Sequence, residues 1–196
     1  MKVTKEYRWK EAVWKDLRIG DSIRLPRFIV PEAIIGGSRE LHFDMQTVVD
    51  TATIYSIKNR KIHLVFDHCI FQSPVDLNNT APWKYTQLYA YLSGPFKEAM
   101  YGSGIPVLKV SVLSKEWRLR NPFFREGKNI VAFAVDEMST VCYWLRDTIN
   151  KTGKKEFYAV GADGITGSYS SDRPDFFVRP CVVIKMAKKH GRRHSQ

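Results

Sequence analysis

Between Val107 and Ile184 the chain is a succession of short apolar runs, VLKVSVL, IVAFAVDE, TVCYWLRD, EFYAVGA, ITGSYS and FFVRPCVVI, separated by polar or turn-forming residues. Runs of this length between turn signals are strands, and such a succession points to a sheet system. Asp163-Gly164 lies between two of them and is the strongest local hairpin signal, because both residues tolerate the positive φ of a tight turn. Upstream, TIYSI and KIHLVF flank Lys58-Asn59-Arg60 and predict a second hairpin. SIRLPRF alternates Ile23 and Leu25 against Arg24, a strand pattern that Pro26 assigns to an edge, and LHFDMQTVVD puts Phe43, Met45, Thr47 and Val49 on one strand face.

Two segments carry the helical period instead. WKYTQLYAYL gives Leu88, Tyr91 and Leu92 the spacing of an amphipathic helix, and Pro95 is placed to open a second short helix through Met100. Trp9, Val13, Trp14 and Leu17 have helical spacing near the N-terminus. The sum is an α+β chain of mostly antiparallel, twisted sheets with one or two covering helices. It reads as a single domain over residues 1–184, with an N-terminal helix at about 6–17 and a basic flexible tail at 185–196. DTINKTGKKE (147–156) and SSDRPD (170–175) read as polar loops.

Composition narrows the function classes. A hydrophobic share of 44% fits a packed globule and argues against disorder. No apolar run is long enough for a membrane span, and MKVTKEYRWKEAVWKDL has no signal-peptide centre, so a cytoplasmic location where the chain is made is expected. Cys69, Cys142 and Cys181 are far apart among apolar neighbours and read as buried hydrophobes. Of the net charge of +11, the tail supplies five lysines and arginines and no acid; Lys188, Lys189, Arg192 and Arg193 are its candidate nucleic-acid contacts.

No catalytic, cofactor or metal residue is assigned. His63, His68 and Cys69 (HLVFDHC) lack paired ligand spacings, and His63 and Asp67 read as ordinary exposed residues opposite Ile62, Leu64 and Phe66. The glycine segments GSG and GADGITG have neither a phosphate-loop lysine nor a strand-to-helix context, and no Gly-x-Ser-x-Gly elbow occurs. The arginines inside apolar strands are more informative. Arg146 shares parity with Cys142 and Trp144, and Arg179 with Phe177, Cys181 and Val183. Each needs a carboxylate (Asp136, Glu137, Asp163 and Asp175 are the acids near strand ends), carbonyl oxygens or an aromatic face. Pro180 marks a strand edge or bulge.

Tyr143-Trp144-Leu145-Arg146, Ala159-Val160, the Asp163-Gly164 turn and Val178-Arg179-Pro180 together resemble the signature of an uncharacterised family of bacterial and phage domains, "W-L-R … V-x-x-x-G … V-R-P". Leu17 to Asp21, Trp83 to Phe96 and Val131 to Glu137 are similar to its upstream elements. Trp144, Arg146, Asp163, Gly164, Arg179 and Pro180 are the structural signature residues that this resemblance marks. Ser93, Asp147 and the segment SKEWRLRNPFFREGKN (114–129) depart from it. The resemblance implies a C-type-lectin-like fold, related to that of formylglycine-generating enzymes, with function in surface loops. Neither oxidase cysteines nor calcium ligands carry over.

The expectation is a non-enzymatic recognition or structural module of phage or prophage origin. It would bind a protein or carbohydrate partner, with Asn150, Lys151, Lys154, Lys155, Asp172 and Arg173 as candidate contacts. The alternatives are an intracellular phage-encoded inhibitor of a host defence nuclease, and nucleic-acid binding through the basic tail.

Overall fold

The computed structural model describes residues 5–9, 16–31, 33–36, 40–43, 46–48, 50–125, 131–134 and 139–185. In the first half the strands are β1 (Glu6–Arg8), β2 (Ser22–Arg24), β3 (Phe28–Val30), β4 (Ala33–Gly36), β5 (Glu40–Phe43), β6 (Gln46–Val48), β7 (Thr51–Lys58), β8 (Lys61–Phe66), β9 (His68–Cys69) and β10 (Phe71–Gln72). In the second half they are β11 (Val107–Ser111), β12 (Phe133–Ala134), β13 (Tyr143–Lys151), β14 (Lys154–Val160), β15 (Thr166–Ser170), β16 (Phe177–Val178) and β17 (Cys181–Lys185). The helices are α1 (Gln87–Tyr91), α2 (Lys97–Gly102) and α3 (Lys115–Arg120).

Two sheets organise these elements. A six-stranded sheet runs in the order β1-β2-β7-β8-β17-β11 and is antiparallel except for β1 beside β2. A five-stranded sheet runs β10-β16-β13-β14-β15, with only the β13–β16 contact parallel. The coarse expectation of mostly antiparallel sheets with a helical cover therefore describes the molecule.

The larger core forms where the inner face of the six-stranded sheet meets the helical segment. Ile54, Ile62, Leu64, Phe66, Val182 and Ile184 alternate inward along β7, β8 and β17, against Leu88, Tyr91, Leu92, Phe96 and Met100. Trp144, Phe157 and Phe176 of the other sheet's region complete that core; the Trp144 ring lies 4.7 Å from Phe176, and its Nε1 donates to the Ser73 carbonyl at 2.8 Å. Thr86 caps α1 by accepting from the Tyr89 amide at 3.1 Å. Pro95 does not start a new helix as expected. It sits inside a π-turn, Leu92–Phe96, that joins α1 to α2. The wider turn accommodates a residue that has no amide hydrogen to donate.

The N-terminal expectation changes as well. Glu6–Arg8 is a strand, paired in parallel with Ser22–Arg24, where the apolar spacing had suggested a helix at 6–17; residues 10–15 lie outside the described residues. β2 is consequently interior rather than an edge, and it ends before Pro26. The segment 147–156 is not a loop, since β13 and β14 pair up to Lys151 and Lys154 around the two-residue turn Thr152-Gly153. In LHFDMQTVVD the strand breaks into β5 and β6, and Val48 rather than Thr47 is buried.

FFVRPCVVI resolves into two strands in different sheets. β16 belongs to the five-stranded sheet and β17 to the six-stranded one, with Arg179-Pro180 as the step between them. Pro180 is buried there, and its carbonyl accepts from the Phe66 amide at 3.0 Å. Arg179 is buried too; its Nε donates to the Phe66 carbonyl at 2.8 Å and Nη2 lies 3.5 Å from the Asp67 carbonyl. The guanidinium carbon stands 5.5 Å from the Tyr143 ring centre. Carbonyls and an aromatic face therefore receive this cation. Of the acids near strand ends, Asp175 is bonded to Arg173 and Asp163 to the Ile165 amide, while Asp136 and Glu137 lie outside the described residues.

The hairpin turns follow the residues only in part. At Asp163-Gly164 only Gly164 takes a positive φ (82°), and the Gly161 carbonyl accepts from the Gly164 amide at 2.9 Å. The β7–β8 turn places Asn59 and Arg60 at φ 52° and 59°. Arginine pays a steric penalty in this region that glycine avoids. Arg60→Gly is expected to stabilise the fold by about 0.5–1 kcal/mol, since Asn-Gly is the preferred pair for such a turn. Thermal unfolding should show a Tm higher by roughly 1–4 °C.

Candidate functional site

The outer face of the six-stranded sheet carries a different set of side chains from the core face. Register fixes two rows across it: Lys109, Val183 and His63 in one, and Ser111, Cys181 and Val65 in the next. Tyr55 stands beside them, with its ring 5.9 Å from His63, 5.7 Å from Trp117 and 5.6 Å from Phe124.

The cover over this face is residues 114–125, the described part of the segment that departs from the resembled pattern. Ser114 caps α3 by accepting from the Trp117 amide at 3.2 Å. Asp147 on β13, another departure, accepts from the Lys115 amide, and the Arg146 amide donates to the Leu113 carbonyl at 2.9 Å. Asn121 Nδ2 donates to the Tyr55 carbonyl at 3.0 Å, which fixes the far end of α3 against β7. Buried Arg118 reaches the Phe124 carbonyl at 2.9 Å and the Gly164 carbonyl at 3.3 Å.

Two concavities result. A pit of about 200 Å³ is lined by Tyr55, His63, Lys109, Ser111, Arg146 and Cys181, among others. A groove of about 550 Å³ is lined by Ile19, Tyr55, Ser56, Glu116, Trp117, Arg120, Asn121 and Pro122. The two meet at Tyr55 and Trp117.

The pit is cationic. No acid is among its lining residues, and Arg146 and Lys109 form no ion pair among the described residues. Burial lowers the Lys109 pKa, and repulsion from Arg146 and Lys84 lowers it further. His63 is also held below its ordinary value, first by burial and then by Lys61, Lys109 and Lys58. The Ser111 hydroxyl is buried without a hydrogen-bond partner among the described residues. His63 is thus half-buried in a functional-looking pit, where the sequence pattern had made it an ordinary exposed residue. Arg146 lines the same pit. A register shift between Trp144 and Thr148 breaks the parity that had grouped it with Trp144.

The two buried thiols are chemically quiet. Burial pushes Cys69 and Cys181 each up to about 12, with Arg179 working in the opposite direction. Neither carries a thiolate at neutral pH. His68 Nδ1 lies 2.8 Å from Oδ1 of buried Asp50, whose pKa burial raises and His68 lowers. Asp50 also accepts from the Thr51 and His68 amides, so it works as a local backbone clasp.

The candidate partner contacts gather at the far end of the five-stranded sheet. Asn150 faces Lys155 and Lys151 faces Lys154 across the hairpin, while Lys154 is close enough to lower the Asp172 pKa, after the larger effect of the Ser170 hydroxyl. Asn79 joins them: its carbonyl accepts from the Lys155 amide at 3.0 Å, and its Oδ1 accepts from the hydroxyls of Ser170 at 3.1 Å and Ser171 at 2.6 Å. Arg173 makes a two-point ion pair with Asp175. Lys188, Lys189, Arg192 and Arg193 lie outside the described residues.

No family model, curated protein or solved structure matches the chain. Among the described residues no helix is long and apolar enough to cross a membrane.

The depressed His63 pKa has a consequence for stability. The unfolded chain takes up this proton at a higher pH than the native protein does, so His63 contributes stability above its ordinary pKa. That stability is lost as pH falls through the ordinary value toward the native one. Histidine resonances followed by NMR should place His63 below about 6.5. His63→Gln should flatten the pH dependence of Tm in that interval.

Proposed function

We propose that the chain is a non-enzymatic recognition module of phage or prophage origin, built on a C-type-lectin-like arrangement. It engages a protein or carbohydrate partner through the outer end of the five-stranded sheet. The observation that carries this reading is the convergence of two separate polar segments on Asn79, which holds Asn150, Lys151, Lys154, Lys155, Asp172 and Arg173 on one end of a rigid sheet. A surface ordered by backbone and hydroxyl contacts needs little further ordering on binding, and that favours recognition. The protonated thiols Cys69 and Cys181 support a binding role over nucleophilic chemistry.

A second reading, an intracellular inhibitor of a host defence nuclease, is favoured by the cations Lys58, Lys61 and Lys109 on the six-stranded sheet and Arg146 of β13 beside them, which form no ion pair among the described residues and could compete for nucleic-acid contacts. Direct nucleic-acid binding through Lys188, Lys189, Arg192 and Arg193 would instead disappear on deletion of the tail.

The double variant Lys154→Glu, Lys155→Glu separates these readings. Surface charge reversal should cost the fold at most about 1 kcal/mol in Tm terms. A glycan array and affinity capture from host lysate and virion fractions should yield a partner that the native chain retains and the variant loses. A partner held equally by both forms would place recognition elsewhere, and turnover of a small molecule abolished by one loop or cysteine substitution would end the non-enzymatic reading.

A further inference from the structure

The pit on the six-stranded sheet has no role in recognition at the opposite sheet's end, and its chemistry is specific. Two cations, Lys109 and Arg146, and a titratable histidine, His63, line a cavity of about 200 Å³ that has no acid among its described lining residues. Like charges brought together in a partly desolvated space repel, and the Lys109 pKa is lowered first by burial and then by Arg146. The buried Ser111 hydroxyl, among the described residues, has no hydrogen bond to make within the protein. An unpaired buried hydroxyl is costly, and a bound oxyanion would satisfy it together with the cations.

The adjoining groove sets the rest of the ligand. Its volume of about 550 Å³ falls within the usual range for small-molecule sites. Trp117 (40% exposed) and Ile19 (59% exposed) present apolar surface along it, while Glu116 and Arg120 are paired to each other at 2.8 Å. An organic portion that is flat or apolar would cover that surface by stacking and burial. The charge count selects the head group. A carboxylate brings one negative charge, whereas a phosphomonoester brings nearly two and several acceptor oxygens, enough for Lys109, Arg146, protonated His63 and Ser111 together.

We infer that this pit and groove form a binding site for a small phosphomonoester, with its phosphoryl group on Lys109, Arg146, His63 and Ser111 and its organic part against Trp117. A nucleoside monophosphate is the simplest member of that class with a planar body. The site is built from the face of the six-stranded sheet, Arg146 of β13 and residues of the 114–122 stretch, and it works whatever the chain recognises through its other end.

Calorimetric titration of the full chain with AMP, adenosine and inorganic phosphate tests this. AMP should bind, adenosine should bind at least about tenfold more weakly, and phosphate should compete with AMP. Lys109→Gln and Arg146→Gln should each weaken AMP by about tenfold, the worth of one charge-assisted hydrogen bond. Lys109 is exposed, so its variant reads the site even if Arg146→Gln fails to fold. AMP should also raise the His63 pKa, and the Lys154→Glu, Lys155→Glu variant should bind AMP unchanged. Adenosine binding as tightly as AMP, no AMP binding up to millimolar concentration, or full affinity in Lys109→Gln would each overturn the assignment.

Discussion

A buried guanidinium with no carboxylate bonded to it among the described residues links the two sheets. Arg179 sits where the chain leaves the five-stranded sheet and enters the six-stranded one. It donates to the end of β8 at Phe66 while its face approaches Tyr143 at the start of β13. The Tyr143 hydroxyl and Nη1 of Arg179 are both buried, and neither makes a hydrogen bond of good geometry among the described residues. They lie close enough to interact electrostatically. Proline next to it removes an amide donor at the one place where a continuous ladder must stop. The pair Arg179-Pro180 thus breaks one strand into two and then fills the space the break creates.

From that junction the functional surfaces follow. β17 enters the six-stranded sheet with Val182 and Ile184 toward the core and Cys181 and Val183 outward. The outward row meets Lys109, Ser111 and His63 by register. Alone this would be an open, partly charged sheet face. Residues 114–125 roof it, anchored by Asp147 at the start of α3 and by Asn121 at its end, and so turn a face into a pit with a groove beside it. At the other end of the molecule, β14 and β15 carry the hairpin tip and the 170–175 turn side by side, and Asn79 fastens both.

Local signals were legible wherever neighbours in sequence decide the structure. Alternation located β7, β8, β14 and β17, and the turns at Asn59-Arg60 and Asp163-Gly164 joined the strands that flank them. Non-local pairing was not legible. Tyr7 belongs to a strand only because β2 lies alongside it, so the helical spacing of nearby tryptophans misled. Residues 147–156 are polar except for Ile149 at a sheet tip, and such a sequence looks like a loop until its partner strand is known. Pro95 lies in a π-turn that no spacing rule anticipates. The pit was hidden for the same reason: Lys109, His63 and Arg146 come from three distant strands. The contact of Asp147 with the Lys115 amide, which anchors the cover of the pit, is equally non-local.

The central claim is that Arg179 is a structural cation and that binding lies elsewhere. Thermal unfolding of Arg179→Met, with near-ultraviolet circular dichroism to follow the tryptophans, tests it most directly. Methionine fills much of the space but leaves the Phe66 carbonyl buried without its donor. A loss of about 2–3 kcal/mol is expected, seen as a Tm lower by roughly 5–10 °C. A variant that melts like the native chain but has lost its ligand or partner would contradict the account and make Arg179 a binding residue.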